Sequence, residues 1–210
     1  MPSLDDIRGT FAGRRPAVIG EDGVRRAGVA MVLRDDPEGP SVLFIERARF
    51  EGDPWSGHMA FPGGRVDPGD ADARRAAERE TLEEVGLTLA GAEFIGALDD
   101  RQGNPRTHGT LIISGYVYAV SDPPPLVPNH EVEKAFWFPL RDLRAPENHV
   151  PYRAHQQLDF PGILVGDPER HIVWGLTYNF LEGFFSVVGK PLPDRWTPEM
   201  RQYARHIERP

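Results

Sequence analysis

The chain has 210 residues, with 24 Lys+Arg against 32 Asp+Glu, a net charge of −8 and a composition 40% hydrophobic and 27% charged. That length and balance fit one folded domain spanning 1–210 and exclude wholesale disorder, and the acidity argues against a nucleic-acid partner. Zero cysteines exclude disulfides, thiolate metal sites and cysteine nucleophiles.

Residues 1–25 are polar and turn-rich and read as a short helix followed by an irregular lead-in. Two short apolar runs, Ala27 to Leu33 and Ser41 to Glu46, flank the turn residues Asp35-Asp36-Pro37-Glu38-Gly39-Pro40, a strand–turn–strand signal. After Phe61-Pro62-Gly63-Gly64 the period changes, and 71–86 holds no Gly or Pro until Gly86, which predicts one helix with a glycine stop. Strand patterns return at Glu93 to Leu98 and at Leu111 to Val120, the latter long enough to be central. Beyond the proline-rich Asp122-Pro123-Pro124-Pro125, Ala135 to Phe138 predicts another strand and Pro139-Leu140 a helical turn. Residues 145–170 read as loop with short extended pieces, Ile172 to Val188 as a buried helix, and Thr197-Pro198-Glu199 as the start of a polar one. The C-terminal helices of 172–210 are expected to pack on the domain. The sum is an α+β fold, an α/β/α sandwich with a mixed β-sheet between helices. No apolar stretch approaches the ~18–20 residues of a membrane span, and Met1 to Arg8 lacks the order of a signal peptide. A cytoplasmic protein with no membrane partner is therefore expected.

The segment Arg79-Glu80-Thr81-Leu82-Glu83-Glu84-Val85-Gly86-Leu87 is the most informative. At 3.6 residues per turn Glu80, Glu83 and Glu84 share an arc of roughly 100°. Ala73, Ala76 and Ala77 continue that side and let it lie close to a neighbouring layer, while Leu82 points nearly the opposite way. Like charges at these spacings repel by roughly 0.2–0.5 kcal/mol per pair, more when buried. A solvated acidic face would tolerate them; a buried cluster would need a hard divalent cation such as Mg²⁺ or Mn²⁺. The double glycine before the helix and the glycine stop after it favour the second reading.

This segment resembles the signature of the Nudix hydrolases: a glycine, a spaced acidic residue, then Arg-Glu-x-x-Glu-Glu-x-Gly and an apolar residue. Asp70 stands where Glu is usual, six residues after Gly64, and the spacing to Arg79 is one longer than the commonest form, as in the coenzyme A pyrophosphatase-like branch. The resemblance implies a Nudix fold and metal-assisted attack of water on a diphosphate joined to another group. Glu80 and Glu84 would be the main Mg²⁺ or Mn²⁺ ligands, Glu83 would hold a further ion or a metal-bound water, and Arg79 would orient Glu83. The carbonyl of Gly63 or Gly64 would complete the coordination. Asp70 reads as the helix N-cap rather than as support for a metal, and Asp67 as a turn residue. Glu131, before the expected strand and the Trp137-Phe138-Pro139-Leu140 element, is the candidate extra ligand or catalytic base, against the plainer reading of an exposed loop carboxylate. His108 and His130 stay outside the catalytic set as surface residues.

Leu43 to Ala48 and Gly57 to Gly64 are similar to the additional signature of that branch, with His58 in place of its glutamine, a loop one residue longer and no counterpart of its arginine. The Trp174-Gly175-Leu176-Thr177 run resembles the branch's Trp-Gly-x-Thr element; a glycine serving close packing in a core helix explains it equally. The branch implies cleavage of coenzyme A or acyl-CoA to 3′,5′-ADP and 4′-phosphopantetheine derivatives. Arg47, Arg49 and Arg65 are then candidate cations for substrate phosphates, and Trp55 and Phe50 can stack an adenine. NADH, ADP-ribose or another nucleoside diphosphate derivative are the alternative substrates, and a catalytically silent ligand-sensing module is the alternative of another class. The oligomeric state is left open, with a homodimer among the options.

Overall fold

The computed structural model describes residues 2–20, 23–53, 55–103, 111–153 and 159–207. Helix α1 (Leu4–Phe11) opens on a capping box in which Ser3 and Asp6 each satisfy the other's backbone amide. Strands β1 (Arg25–Arg34) and β2 (Ser41–Arg47) follow, then the short β3 (Met59–Ala60) and β4 (Gly63–Arg65). After helix α2 (Ala73–Val85) come β5 (Glu93–Ala97), β6 (Arg101–Gln102), β7 (Leu111–Val120) and β8 (Val132–Pro139). Two 3-10 turns, Asp142–Arg144 and Pro146–Asn148, lead to β9 (His149–Arg153), β10 (Asp159–Leu164) and β11 (Ile172–Val173). Helices α3 (Gly175–Val187) and α4 (Pro198–Ile207) end the chain.

Among the described residues, β1 to β8 form one mixed sheet in which β1 and β7 run parallel and lie at the centre. Strand β1 changes partner along its length: Ala27 to Val29 pair with β4, and Leu33 and Arg34 pair with β2. Between the two pairings the Ala30 amide donates to the Pro62 carbonyl at 2.8 Å. The sheet therefore splits where the Phe61 to Gly64 segment crosses it, and the split leaves room beneath α2. One face carries Val32, Leu43, Ile45 and Tyr118 against Ala77 and Val85 of α2. The other packs Met31, Phe44 and Val117 against α1 and α3, through Ile7, Phe11, Phe180 and Phe184. The expected sandwich is thus the observed one, and no helix among the described residues is long and apolar enough to cross a membrane.

Five readings from the sequence are corrected. Asp72, not Asp70, caps α2, accepting the Arg75 amide at 2.9 Å. The stretch 145–170 is not mainly loop: β9 and β10 lie in it and join β11 in a second, three-stranded sheet. The predicted helix from Ile172 starts at Gly175, because Ile172 and Val173 pair with β10. Gly175 adopts φ +60° with open space where a Cβ would stand, so it serves a turn in the backbone and not close packing. Strand β8 begins at Val132, which puts Glu133 inside it while Glu131 remains just before it.

Helix and sheet approach closely at Gly28, where a Cβ would stand 1.7 Å from the Ala73 carbonyl oxygen and 3.2 Å from the Ala77 Cβ. The small residues on that side of α2 thus let the helix backbone rest on the strand itself. Gly28→Ala is expected to cost roughly 2–4 kcal/mol by overpacking, a melting-temperature drop of ~5–15 °C in a thermal melt.

Candidate functional site

The glutamates of α2 differ by position on the helix. Glu84, four residues after Glu80 and on the side of Ala76 and Ala77, is 2% exposed. The Glu80 side chain is partly buried, and that of Glu83 is about half exposed (53%). Glu84 is fixed by the glycine turn: its Oε2 accepts the Gly63 amide at 2.9 Å. At the next residue a Cβ would stand 2.2 Å from Glu80 Oε1, so any other residue at 64 would displace that carboxylate.

Glu131 reaches the same place from a distant loop. The amides of Val127 and Asn129 donate to the Val85 and Glu84 carbonyls at the end of α2, both at 2.9 Å. Asn129 Oδ1 in turn accepts the Glu131 amide, and the Glu131 carbonyl accepts the Ala48 amide, both at 2.8 Å. The loop is thereby stitched to α2 and to the end of β2. Glu80, Glu84 and Glu131 each offer a carboxylate oxygen, all within 4.8 Å of one another. Glu83 stands outside this group, on the rim.

Arg79 gathers the surrounding acids. Its Nη1 donates to Glu80 Oε1 at 3.0 Å and Glu83 Oε2 at 3.1 Å, and its Nη2 donates to Asp70 Oδ2 at 2.9 Å and the Arg65 carbonyl at 3.2 Å. Asp70 is therefore an anchor for Arg79, which holds its carboxyl below the usual range; it also accepts the Asp67 amide. The sequence hides this role, since an acid nine residues before Arg79 is as consistent with a cap as with a partner. Arg65 is exposed on β4. Arg47 makes a 3.3 Å ion pair with Asp53, and its Nε is buried without a hydrogen-bond partner. Trp55 is half-buried, edge-on to His58 at 5.8 Å. Arg49 and Phe50 are exposed, as is His130; His108 lies outside the described residues.

Burial dominates the electrostatics. It pushes Glu84 up to about 8, with Glu80 and Glu131 adding to the rise and the Gly63 amide and Arg47 opposing it. Burial likewise raises Glu80 against the pull of Arg79. Three hard oxygen donors converging from a partly buried, a buried and an exposed residue, with two proton affinities raised, are a donor set suited to Mg²⁺ or Mn²⁺.

Without metal, the folded chain keeps a proton on Glu84 that the unfolded chain has released once the pH exceeds the ordinary value of 4.5. Stability of the metal-free protein should therefore fall as pH rises from about 4.5 towards about 8. Glu84→Gln keeps an acceptor for the Gly63 amide and removes the charge. In a melting series with chelator it should flatten that slope and gain ~2 kcal/mol at pH 8, roughly 4–8 °C.

Residues 24–158 match the family described as NUDIX domain. The chain is 43% identical over 113 residues to an uncharacterized protein of Schizosaccharomyces pombe, covering 51% of this chain and 34% of that one. It is 32% identical over 143 residues to the mitochondrial coenzyme A diphosphatase NUDT8 of Homo sapiens, covering 66% and 58%. It is 29% identical over 192 residues to the uncharacterized Nudix hydrolase NudL of Citrobacter koseri, covering 89% and 95%. The chain thus spans about a third of the yeast relative and under two thirds of the human one. In fold it is similar to the MutT/nudix family protein from Enterococcus faecalis, with a TM-score of 0.56 at 18% identity over 97% of this chain and 75% of that one.

Proposed function

Since the chain belongs to the NUDIX domain family, among relatives named Nudix hydrolases, we propose that it is a metal-dependent pyrophosphohydrolase cleaving nucleoside diphosphates joined to another moiety. The observation that carries this reading is the convergence of Glu80, Glu84 and Glu131 within 4.8 Å at the Gly63 turn. A ligand-sensing module without chemistry has no use for three mutually repelling carboxylates in a cleft.

Glu80 and Glu84 would hold the divalent cation, with Glu131 as the further ligand or as the base, and with the Gly64 carbonyl as a backbone donor. A cation there supplies Lewis-acid polarisation of phosphoryl oxygens and a water of lowered pKa. Glu84 is held by the Gly63 amide. Arg79, itself fixed by Asp70, holds Glu80 and Glu83, and from the rim Glu83 would support a further ion or a metal-bound water. Where Glu131 is the base, its carboxylate takes the proton of the attacking water. Arg47, whose charge lowers the proton affinity of Glu84, and the exposed Arg65 on β4 are the cations for the substrate diphosphate. Trp55 takes part of the organic group.

For the substrate we favour coenzyme A or acyl-CoA, giving 3′,5′-ADP and 4′-phosphopantetheine derivatives. The support is the Gly57 to Gly64 approach sequence together with the likeness to the human coenzyme A diphosphatase.

Chromatography of products from CoA, NADH, ADP-ribose and dinucleoside polyphosphates, with and without Mn²⁺ or Mg²⁺, tests both levels. CoA should be cleaved fastest and only with metal; no cleavage of any of them overturns the activity. Glu84→Gln and Glu83→Gln should lower kcat/KM on the best substrate by ~10³-fold with the fold retained by circular dichroism. Near-normal rates in both would remove the assigned roles.

A further inference from the structure

Of the three converging carboxylates, Glu131 has the least local reason to be where it is. Glu80 and Glu84 are carried by α2, whereas Glu131 is an exposed residue of an irregular loop, and its charge adds to the proton affinity of both. Two like charges on one side and water on the other would turn an unrestrained side chain outward. Its backbone therefore has to be held.

Helix α2 stops at Gly86, whose φ of +69° ends the helical path and whose amide donates to the Leu82 carbonyl. The carbonyls of Glu84 and Val85 then have no donor from within the helix. They are satisfied by the Asn129 and Val127 amides, both at 2.9 Å, on either side of Pro128, which has no amide hydrogen to give. The main chain of Asn129 is thus bonded to the backbone of Glu84, the most buried of the three acids.

The side chain of Asn129 reaches forward. Its Oδ1 accepts the Glu131 amide at 2.8 Å, and its carbonyl accepts the Val132 amide at 3.3 Å. A side-chain oxygen bonded to the amide two residues on makes a turn that a short carboxamide closes and a methyl group cannot. On its other side Glu131 is fixed by the Ala48 amide, which donates to its carbonyl at 2.8 Å. Asn129 is only partly buried and sits in a loop, so its side chain is no part of the apolar core.

We propose that Asn129 is the positioning residue for Glu131: one residue ties the backbone of Glu84 to that of Glu131 and so keeps the loop carboxylate beside the two on α2. This rests on the pyrophosphohydrolase reading of the carboxylate cluster.

A double-mutant cycle in the full chain, joining Asn129→Ala to Glu131→Gln, tests it. Mn²⁺ binding is followed by electron paramagnetic resonance, and kcat on the best substrate is measured at saturating Mn²⁺. Glu131→Gln should weaken Mn²⁺ binding where the carboxylate is a ligand, or lower kcat where it is the base. In the readout that responds, Asn129→Ala alone should cost about tenfold, as loss of groups that orient metal ligands does. Added to Glu131→Gln it should cost less than about twofold, because the carboxylate it positions is already gone. Asn129→Ser, whose hydroxyl accepts the same amide more weakly, should restore part of the loss. An Asn129→Ala effect of equal size in both backgrounds overturns the proposal, since the side chain would then serve the fold at large. A Glu131→Gln variant that matches the wild type in both readouts overturns it too. In the metal-free protein the Glu131 amide should exchange with deuterium about tenfold faster in Asn129→Ala, read by NMR, and unchanged exchange is also fatal to the proposal. If the wild type neither binds Mn²⁺ nor hydrolyses any diphosphate, the activity reading fails, and the exchange rates still decide whether Asn129 holds Glu131.

Discussion

Mutual repulsion among buried carboxylates is the constraint around which the molecule is arranged. Glu84 is nearly inaccessible, Glu80 is partly buried, and Glu131 is brought to both from another loop. Such a cluster is unfavourable by itself, because each charge loses hydration and raises the proton affinity of its neighbours. Every nearby feature addresses that cost. The Gly63 amide and the Arg47 charge oppose the rise at Glu84, and Arg79 opposes it at Glu80. What remains is the kind of repulsion that a divalent cation would relieve.

The fold serves the cluster by bringing backbone close to backbone. Strand β1 takes β4 as a partner for its first half and β2 for its second. The opening between them receives the Gly63 turn and the end of α2. The helix can descend so far because alanines and Gly28 line the contact, and Gly64 can pass Glu80 because it has no side chain. A side chain at Gly28 would meet the α2 backbone at Ala73, and one at Gly64 would displace the Glu80 carboxylate.

A second buried charge, Glu46, does a different job. Its partners Arg170 and His171 come from the turn between β10 and β11, so the brace joins the small sheet to the large one. Because β2 continues directly into Arg47, the brace and the approach to the carboxylates share one strand. Removing one partner from such a buried pair is costly, which favours a single placement of the small sheet.

The sequence by itself determined what depends on neighbours along the chain. The period of the α2 glutamates, the glycine stop at Gly86, the strand–turn–strand at 27–46 and the long central strand at 111–120 are local signals, and each element stands where they point. Even there, Asp70 and Asp72 could not be told apart as caps, since both precede the helix within one turn. Glu131 is a candidate from its place before the Trp137-Phe138-Pro139-Leu140 element, but its position beside Glu80 and Glu84, Asp70 as the anchor of Arg79, and the second sheet with its Glu46 brace rest on tertiary structure. Each depends on contacts between residues far apart in sequence, where neither periodicity nor spacing carries information. Backbone hydrogen bonds from one loop to the end of a helix place Glu131; nothing in the order of residues 127–131 specifies that they meet Glu84 and Val85.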